Sequence, residues 1–588
     1  MIRDNFRVLL VDLATRRGKV ETLDGRDTVV GGSGLAALLF TRYGHPARSW
    51  RDPDQPLIFT IGPLTGYFPL MSKTVCAFKS PYHDQYAESH GGGRSALALR
   101  FADLDALVVV GRAEKPSCIA IGSRDLVIKE LPFVWGKNVF ETGKMVRSLV
   151  KRGGGHRTIM RIGPAGENLS AIAGINVDTY RHFGRLGGGA VMGSKNLKAI
   201  VIEGDSSFKI PESKDYPSLF EEVYTKLTGK DMMKYHDIGT PINMAVLNEL
   251  MMLPIRNLQR TTDQGMAGIS GEKFADDVLL RNGACAGCPV GCIHIGFVRE
   301  RFQKEHRYIY RQVSYDHEPI FAVGAMLSVE NPFEVLAIID ISEKMGLDVM
   351  SAGVALAWAT EATEKRIISK SETVVPLSFG DSEGYKQAML NLGMGTNEFY
   401  RILAQGTLKA AEHYGGQDYA CVLGQEMAGY ATGEVYFASQ ALGFRHSHLD
   451  SGGYSYDQKE TSKDVAKAVD SLIKDEQDRV LLTSMVACLF ARGVYTDELL
   501  ASCLKVVGYD YLAGNLESVS LNIQGLRWKN RFATGFAPEK LSIPKRFYEI
   551  TTAKGPLDGA FLDTLKTEYC KAIRGFDPDT RKSEDQAS

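Results

Sequence analysis

The chain has almost no net charge: 69 Lys and Arg stand against 70 Asp and Glu, a formal charge of -1 over 588 residues. That excludes a global basic field of the kind that draws nucleic acid. Cysteine is scarce and odd in number, nine in all: Cys76, Cys118, Cys285, Cys288, Cys292, Cys421, Cys488, Cys503 and Cys570. So few thiols argue against a disulfide framework and for a reducing compartment. No apolar run approaches the ~18 residues that a membrane span needs. The first residues, Met1-Ile-Arg-Asp-Asn-Phe-Arg, lead into a strand-like segment with no signal-peptide core. A cytoplasmic protein without a membrane span is therefore expected. The chain also lacks visible internal repeats, a low-complexity linker, and any Walker or GxGxxG fingerprint.

What is present is an ordinary globular composition, 44% hydrophobic and 24% charged, on a chain too long for one core. Residues 1–207 read as strand-rich, with candidates at Phe6–Asp12, Leu57–Ile61, Ala106–Val110, Cys118–Ile121, Leu126–Glu130, Thr158–Ile162 and Ala199–Glu203. Helices are expected near Leu35–Tyr43 and Val139–Arg152, the latter closed by Gly153-Gly154-Gly155. Strands and helices do not alternate regularly, which disfavours a doubly wound parallel sheet. Residues 208–420 turn helical. Asn331–Met345 is the clearest helix, with Asn331 to cap it, Pro332 in the first turn and Gly346 at the exit. Its apolar face is read as Phe333, Leu336, Ile339 and Ile341. Residues 421–588 are mixed but mostly helical, and the polar tail Arg581–Ser588 is expected to be disordered.

The most informative stretch is Cys285-Ala-Gly-Cys288-Pro-Val-Gly-Cys292. A CxxCxxxC turn can aim three thiolates at one metal–sulfur cluster, the fourth ligand coming from elsewhere. A zinc knuckle is the rival, with His294 to complete it. Two glycine-rich stretches, His90-Gly91-Gly92-Gly93-Arg94 and Arg181-His182-Phe183-Gly184-Arg185-Leu186-Gly187-Gly188-Gly189-Ala190, could turn backbone N–H groups and arginine forks toward phosphate. Simple glycine turns are the alternative. The basic run Val298–Gln312 reads as a solvated hairpin, or as a contact for an anionic substrate or an electron-transfer partner.

Several stretches, in order, resemble the aldehyde:ferredoxin oxidoreductases over nearly the whole chain. They are Gly62-Pro63-Leu64-Thr65-Gly66, Lys79-Ser80-Pro81, Gly111–Pro116, Ile162–Leu169, Gly189–Ile200, the CxxCxxxC and Gly346-Leu347-Asp348. The resemblance implies an α+β multidomain fold: a β-rich base of two sheets that binds a tungsten (or molybdenum) bis-pterin, covered by two mostly helical domains. It implies a [4Fe–4S] cluster on Cys285, Cys288, Cys292 and a distant cysteine. Cys488, in Ala-Cys-Leu-Phe, is preferred to Cys503 on local match. It puts the pterin phosphates and a bridging Mg2+ near Gly91, Gly92, Gly93 and the span Arg181, His182, Phe183, Gly184, Arg185. Lys73 stands where the family usually has Arg, and His90 where it often has Asn. Glu343-Lys-Met-Gly346-Leu347-Asp348 resembles the family's DxxGLD motif. The second motif, DxxGLC, is degraded to Thr483-Ser-Met-Val-Ala-Cys488. Glu318 aligns with the family's proton-handling glutamate. His446 and His448 compete for the histidine role, with His317 a third candidate. The implied activity is oxidation of an aldehyde to a carboxylic acid, with electrons leaving to ferredoxin or a ferredoxin-like subunit, and a homodimer is one of the assemblies the resemblance implies. A reductase of aromatic or acyl-thioester substrates and a pterin-free Fe–S relay or scaffold are the alternatives.

Overall fold

The computed structural model describes residues 4–149, 156–207, 209–303 and 307–577. Residues 6–204 build two six-stranded sheets. The first uses β1 (Phe6–Asp12), β2 (Arg17–Leu23), β3 (Leu57–Thr60), β4 (Thr74–Lys79), β5 (Tyr86–Gly91) and β6 (Ala106–Val110). The second uses β7 (Ser117–Gly122), β8 (Leu126–Glu130), β9 (His156–Arg161), β10 (Ile175–Val177), β11 (Arg181–Phe183) and β12 (Leu197–Gly204). The two-residue side-chain period of a strand sorts these residues between two cores. Leu9 and Val11 of β1, Leu57 and Phe59 of β3, and Leu107 and Val109 of β6 meet the second sheet's Ile119, Met160 and Ile200. The alternate residues Phe6, Val8, Ile58 and Val108 face the helices.

The sheets share one topology. Their strand orders are β2-β1-β6-β3-β4-β5 and β8-β7-β12-β9-β10-β11. Each contains one parallel pair, β1 with β6 and β7 with β12, and the other pairs are antiparallel. The expectation of no internal repeat is thus corrected: the base is a structural duplication. It escapes the sequence because equivalent positions carry unlike residues, such as Thr60 and Arg161. Its clearest written trace is Gly62-Pro63 after β3 and Gly163-Pro164 after β9.

Other expectations shift in detail. The helix from Val139 ends at Val146, and residues 150–155 of its expected end lie outside the described residues. Strands β2, β4, β5, β10 and β11 were not anticipated; β4 is buried on both faces and β10 and β11 are three residues each, so alternation gives no signal. Parts of both glycine-rich stretches are therefore strand ends rather than loops. The helical middle region also carries a three-stranded sheet of β13 (Leu279–Gly283), β14 (Ile293–Gln303) and β15 (Arg307–Tyr315). The basic run is the β14–β15 hairpin. Residues 304–306 and the side chains of 300–307 lie outside the described residues, as does the tail from 578. Helix Pro332–Met345 has its expected caps: Asn331 accepts from Phe333 and Glu334 N–H, and Gly346 is left-handed at φ 72°. Phe333, expected to be buried, is 41% exposed; its ring has only an edge-on contact with Phe297 of the small sheet and does not enter the core.

Candidate functional site

Two helix ends close on the base in parallel ways. Helix Pro332–Met345 turns at Gly346, whose N–H bonds Glu343 C=O at 3.1 Å while Leu347 N–H bonds Ser342 C=O at 3.1 Å. Helix Val465–Ser484 turns at Val486 (φ 57°), whose N–H bonds Thr483 C=O at 3.2 Å while Ala487 N–H bonds Leu482 C=O at 2.9 Å. Each turn is then tied to one half of the base. Gly346 C=O accepts from Gly174 N–H at 3.0 Å, and Val486 C=O accepts from Lys73 N–H at 3.1 Å. The glycines of the two Gly-Pro steps allow this approach. A Cβ on Gly163 would lie 2.3 Å from Met345 O, and one on Gly62 would lie 2.3 Å from Met485 O.

Between the base and these helix ends lies a cavity of about 600 Å³. Of the residues named from sequence, Lys73, His90, Arg181, His182, Gly184, Arg185, Glu343, Leu347 and Asp348 line it. So do Cys285, Cys288, Cys292, Cys488, Glu318 and His448. Gly91, Gly92, Gly93, Phe183 and Gly346 do not. They brace it instead: a Cβ on Gly91 would lie 2.8 Å from the Phe183 ring, and one on Gly92 would lie 2.8 Å from Cys285 Sγ. Asp348 caps helix Val349–Glu364 through Met350 and Ser351 N–H and also accepts from Arg185 Nε at 3.3 Å. Arg185 Nη2 donates to Glu426 C=O at 2.6 Å. Arg185 Nη1 and Arg181 Nε are buried without a protein partner. Unpaired buried guanidinium N–H groups are costly, and an anionic group in the cavity would satisfy them.

The thiols gather at one end. Leu70, itself left-handed at φ 61°, joins the two segments that carry them: its N–H donates to Gly287 C=O at 3.0 Å and its C=O accepts from Cys488 N–H at 3.0 Å. Gly93 N–H donates to Cys285 Sγ at 3.3 Å. Burial pushes the Cys285 thiol up, but Arg181, Lys73 and the Gly93 N–H outweigh it and leave the thiol below its usual value. Burial lifts Cys288 to about 11 and Cys292 to about 12. Burial works against the Lys73 charge, yet neighbouring Cys488 and Cys285 hold its pKa above the ordinary lysine value. Among the described residues no three His, Cys, Asp or Glu side chains close around one point as a single ion requires. His294 faces the carbonyls of His236 and Asp237 at 2.9 and 3.0 Å instead. Four thiols on one cavity wall, with arginine and lysine beside them, suit an anionic cluster better than a lone zinc. Cys503 is buried in the core and does not reach the cavity.

An acid and an imidazole meet in another part of the cavity. Glu318 Oε2 accepts from Gly429 N–H at 2.9 Å, and its Oε1 stands 3.4 Å from His448 Nε2. Burial raises Glu318 to about 8. Burial, then the Arg185 charge, lowers His448 to about 3. His446 does not line the cavity. Left-handed at φ 52°, it bonds Ala441 C=O through Nδ1 and faces Arg531 through Nε2. His317 does line it, held by Gly429 C=O at 3.1 Å. The sequence reading missed Tyr430 and Tyr454, whose rings stack at 4.9 Å, with Tyr430 5.3 Å from the His448 ring. It also missed Arg445 and Arg479 in the cavity wall. These four come from scattered loops and helices with no local motif to mark them.

Thiols in one region of an internal cavity and a proton-carrying acid in another equip a protein to move electrons and protons about a large bound group. The class so defined is a cofactor-dependent oxidoreductase. Comparison with known families agrees. Residues 8–204 match the aldehyde ferredoxin oxidoreductase N-terminal domain, and residues 218–587 match aldehyde ferredoxin oxidoreductase domains 2 and 3. The chain belongs to the aldehyde ferredoxin oxidoreductase family. The tungsten-containing aldehyde ferredoxin oxidoreductase of Pyrococcus furiosus is 30% identical over 600 positions, covering 97% of this chain and 96% of the relative. That of Thermococcus kodakarensis is 29% identical over 608 positions, covering 99% and 98%. In fold the chain is similar to the active-site complex BamBC of benzoyl coenzyme A reductase, solved with 1,5-dienoyl-CoA (TM-score 0.80, 19% identity, 97% of this chain and 95% of that one).

Proposed function

We propose that this enzyme oxidises an aldehyde to a carboxylic acid with a tungsten (or molybdenum) bis-pterin and a [4Fe–4S] cluster. The observation that carries the reading is that Glu318 and His448 share one cavity with Cys285, Cys288, Cys292 and Cys488. Arg181 and Arg185, with unpaired N–H groups, would hold the pterin phosphates. His90, His182, Glu343 and Asp348 would meet the pterin edges. When bound, the tungsten bis-pterin supplies two-electron redox chemistry and the cluster one-electron transfer, toward ferredoxin or a ferredoxin-like subunit.

The chain's own task is binding and protons. Aldehyde plus water yields acid, two protons and two electrons, so a buried site needs groups to carry protons away. The Gly429 N–H fixes Glu318 Oε2, which leaves Oε1 as the oxygen that takes and gives the proton. His448 Nε2 faces that oxygen at 3.4 Å as a neutral acceptor. Tyr430, Tyr454 and His317 form an aromatic wall that excludes water beside the acid.

A second reading, reduction of an aromatic or acyl-thioester substrate, is favoured by one observation: at neutral pH Glu318 already carries the proton that a reduction consumes. Metal analysis of anaerobically purified protein tests the cofactor set. About one tungsten or molybdenum and roughly four iron per chain are expected. Iron alone would leave an Fe–S relay, and zinc without iron a structural zinc protein. Viologen reduction with an aldehyde series then separates oxidation from reduction.

A further inference from the structure

The two halves of the base each present a histidine to the cavity, but the histidines take their carboxylates from different places. Strand register pairs His90 with Val75 and Val75 with Thr60. It pairs His182 with Asn176 and Asn176 with Arg161. Thr60 and Arg161 each stand two residues before a Gly-Pro step, so His90 and His182 are counterparts. By the same count Thr483 is the counterpart of Glu343, three residues before the left-handed Val486 and Gly346.

In the second half the helix end supplies the acid. His182 Nε2 lies 2.6 Å from Glu343 Oε2, and the Asn176 amide donates to the same oxygen at 3.1 Å. In the first half the helix end supplies no charge. Thr483 Oγ1 accepts from Ser33 at 3.0 Å. His90 Nε2 turns to Glu88 Oε2, two residues back on its own strand, at 3.2 Å. Glu88 is itself held by Arg527 Nε and Nη2 at 2.8 and 3.2 Å and by the Tyr86 hydroxyl at 3.1 Å. The residue of the second half that matches Glu88 is Tyr180, which bonds Gln312 instead.

We infer that Glu88 is the positioning residue of His90, taking over for the Thr483 half-site what Glu343 does for His182. A carboxylate at Nε2 selects the tautomer with hydrogen on Nε2 and leaves Nδ1 a bare acceptor. Burial keeps the His90 ring neutral, with its pKa down to about 4. Both imidazoles line the cavity, and in the Thr483 half-site the neutral His90 thereby offers one acceptor to the ring N–H and amino donors of a pterin. The inference rests on the pterin reading, and it makes both half-sites competent despite the missing acid at Thr483.

The test is pterin content. Pterin is released by oxidation, measured by fluorescence, and divided by tungsten or molybdenum in protein purified without oxygen. Iron content and circular dichroism follow the cluster and the fold. The wild type is expected at about two pterins per metal, and Glu88→Gln at about one. Glu88→Gln with Thr483→Glu is expected back at about two; a double variant that stays at one means that Glu88 acts on the fold alone and overturns the inference. If Glu88→Gln does not fold, His90→Leu, which leaves the Glu88–Arg527 pair in place, decides: one pterin supports the inference and two overturns it. A wild type with one pterin means that the Thr483 half-site is empty and also overturns it. A wild type with neither metal nor pterin overturns the parent reading, which is a separate result.

Discussion

Glu318 Oε1 and His448 Nε2 face each other at 3.4 Å, and at neutral pH neither carries a charge. The distance is that of an ion pair. The environment forbids one: burial keeps the carboxyl protonated up to about 8 and the imidazole bare down to about 3. Moving the proton across would create a cation near Arg185, which already opposes charge on His448. The pair is thus a stored proton beside an empty acceptor, and this polarity sets the first prediction.

If Glu318 must be ionised to take protons from an oxidation, aldehyde turnover rises as pH passes through about 8. Glu318→Gln removes that rise and lowers kcat by roughly 10²–10⁴, the usual worth of a positioned acid or base. If the enzyme is a reductase, the sign reverses and activity falls through the same window. The linkage also shows without any substrate. A carboxylate raised in the folded state contributes stability that is complete below its unfolded pKa and is lost as pH rises through its folded one. Thermal unfolding of metal-free Glu318→Gln is therefore expected to match wild type near pH 4 and to exceed it at pH 9.

Cys488 lines the cavity with the CxxCxxxC thiols, and Cys503 lies in the core. Cys488→Ala is expected to lose the cluster, read as loss of iron and of the low-temperature electron paramagnetic signal. Cys503→Ala is expected to keep both and to lose only modest stability, about 1 kcal/mol, from a small buried side chain. The reverse pattern would transfer the fourth ligand to Cys503.

Val486 is a buried β-branched residue in a left-handed backbone, at the position where its counterpart is Gly346. Two effects oppose each other there. The left-handed conformation costs an L-residue about 1–2 kcal/mol, while burying a valine side chain stabilises by about 1.5 kcal/mol or more. Val486→Gly alone therefore moves little or destabilises. The Ala-to-Gly step isolates the backbone. At an ordinary site glycine is the less stable of the two by about 0.5–1 kcal/mol. Here Val486→Gly should be the more stable of the pair by about 1 kcal/mol, measured by denaturant unfolding of the metal-free protein.

How much of this was written in the sequence depends on how local each signal is. Helix Asn331–Gly346 was legible to the residue, because a side-chain cap and a left-handed glycine are decided within one turn. Strands β1, β6 and β8 were legible because turn residues bound them. The duplication was not, since it lies in strand order and register rather than in residue types. The thiol spacing marked one end of the cavity, but Cys488 entered only through family resemblance. His446 and His448 could not be separated by alternation, because residues two apart share one face of an extended segment, and here the chain runs through turns with His446 left-handed. Tyr430 and Tyr454 had no signal at all, since a wall assembled from separate segments leaves no pattern in any one of them.

Gly92 gives the last prediction, and it joins the glycine-rich strand end to the thiols. A Cβ there would lie 2.8 Å from Cys285 Sγ and 3.3 Å from Lys73 Nζ. The first contact is closer than real Cβ atoms approach sulfur, so Gly92→Ala must push the thiol aside. Lys73 is flexible and can yield, but Cys285 is held by the Gly93 N–H and by the Ala286 N–H bond to Gly93 C=O at 3.0 Å. The displacement should therefore fall on the cluster end of the cavity and leave the acid end alone. Gly92→Ala is expected to fold normally, to change the cluster's reduction potential or its electron paramagnetic signal, and to keep the wild-type pH dependence of turnover. An unchanged cluster signature would show that the glycine stretch does not brace Cys285, and a lost pH dependence would show that the two ends are mechanically coupled.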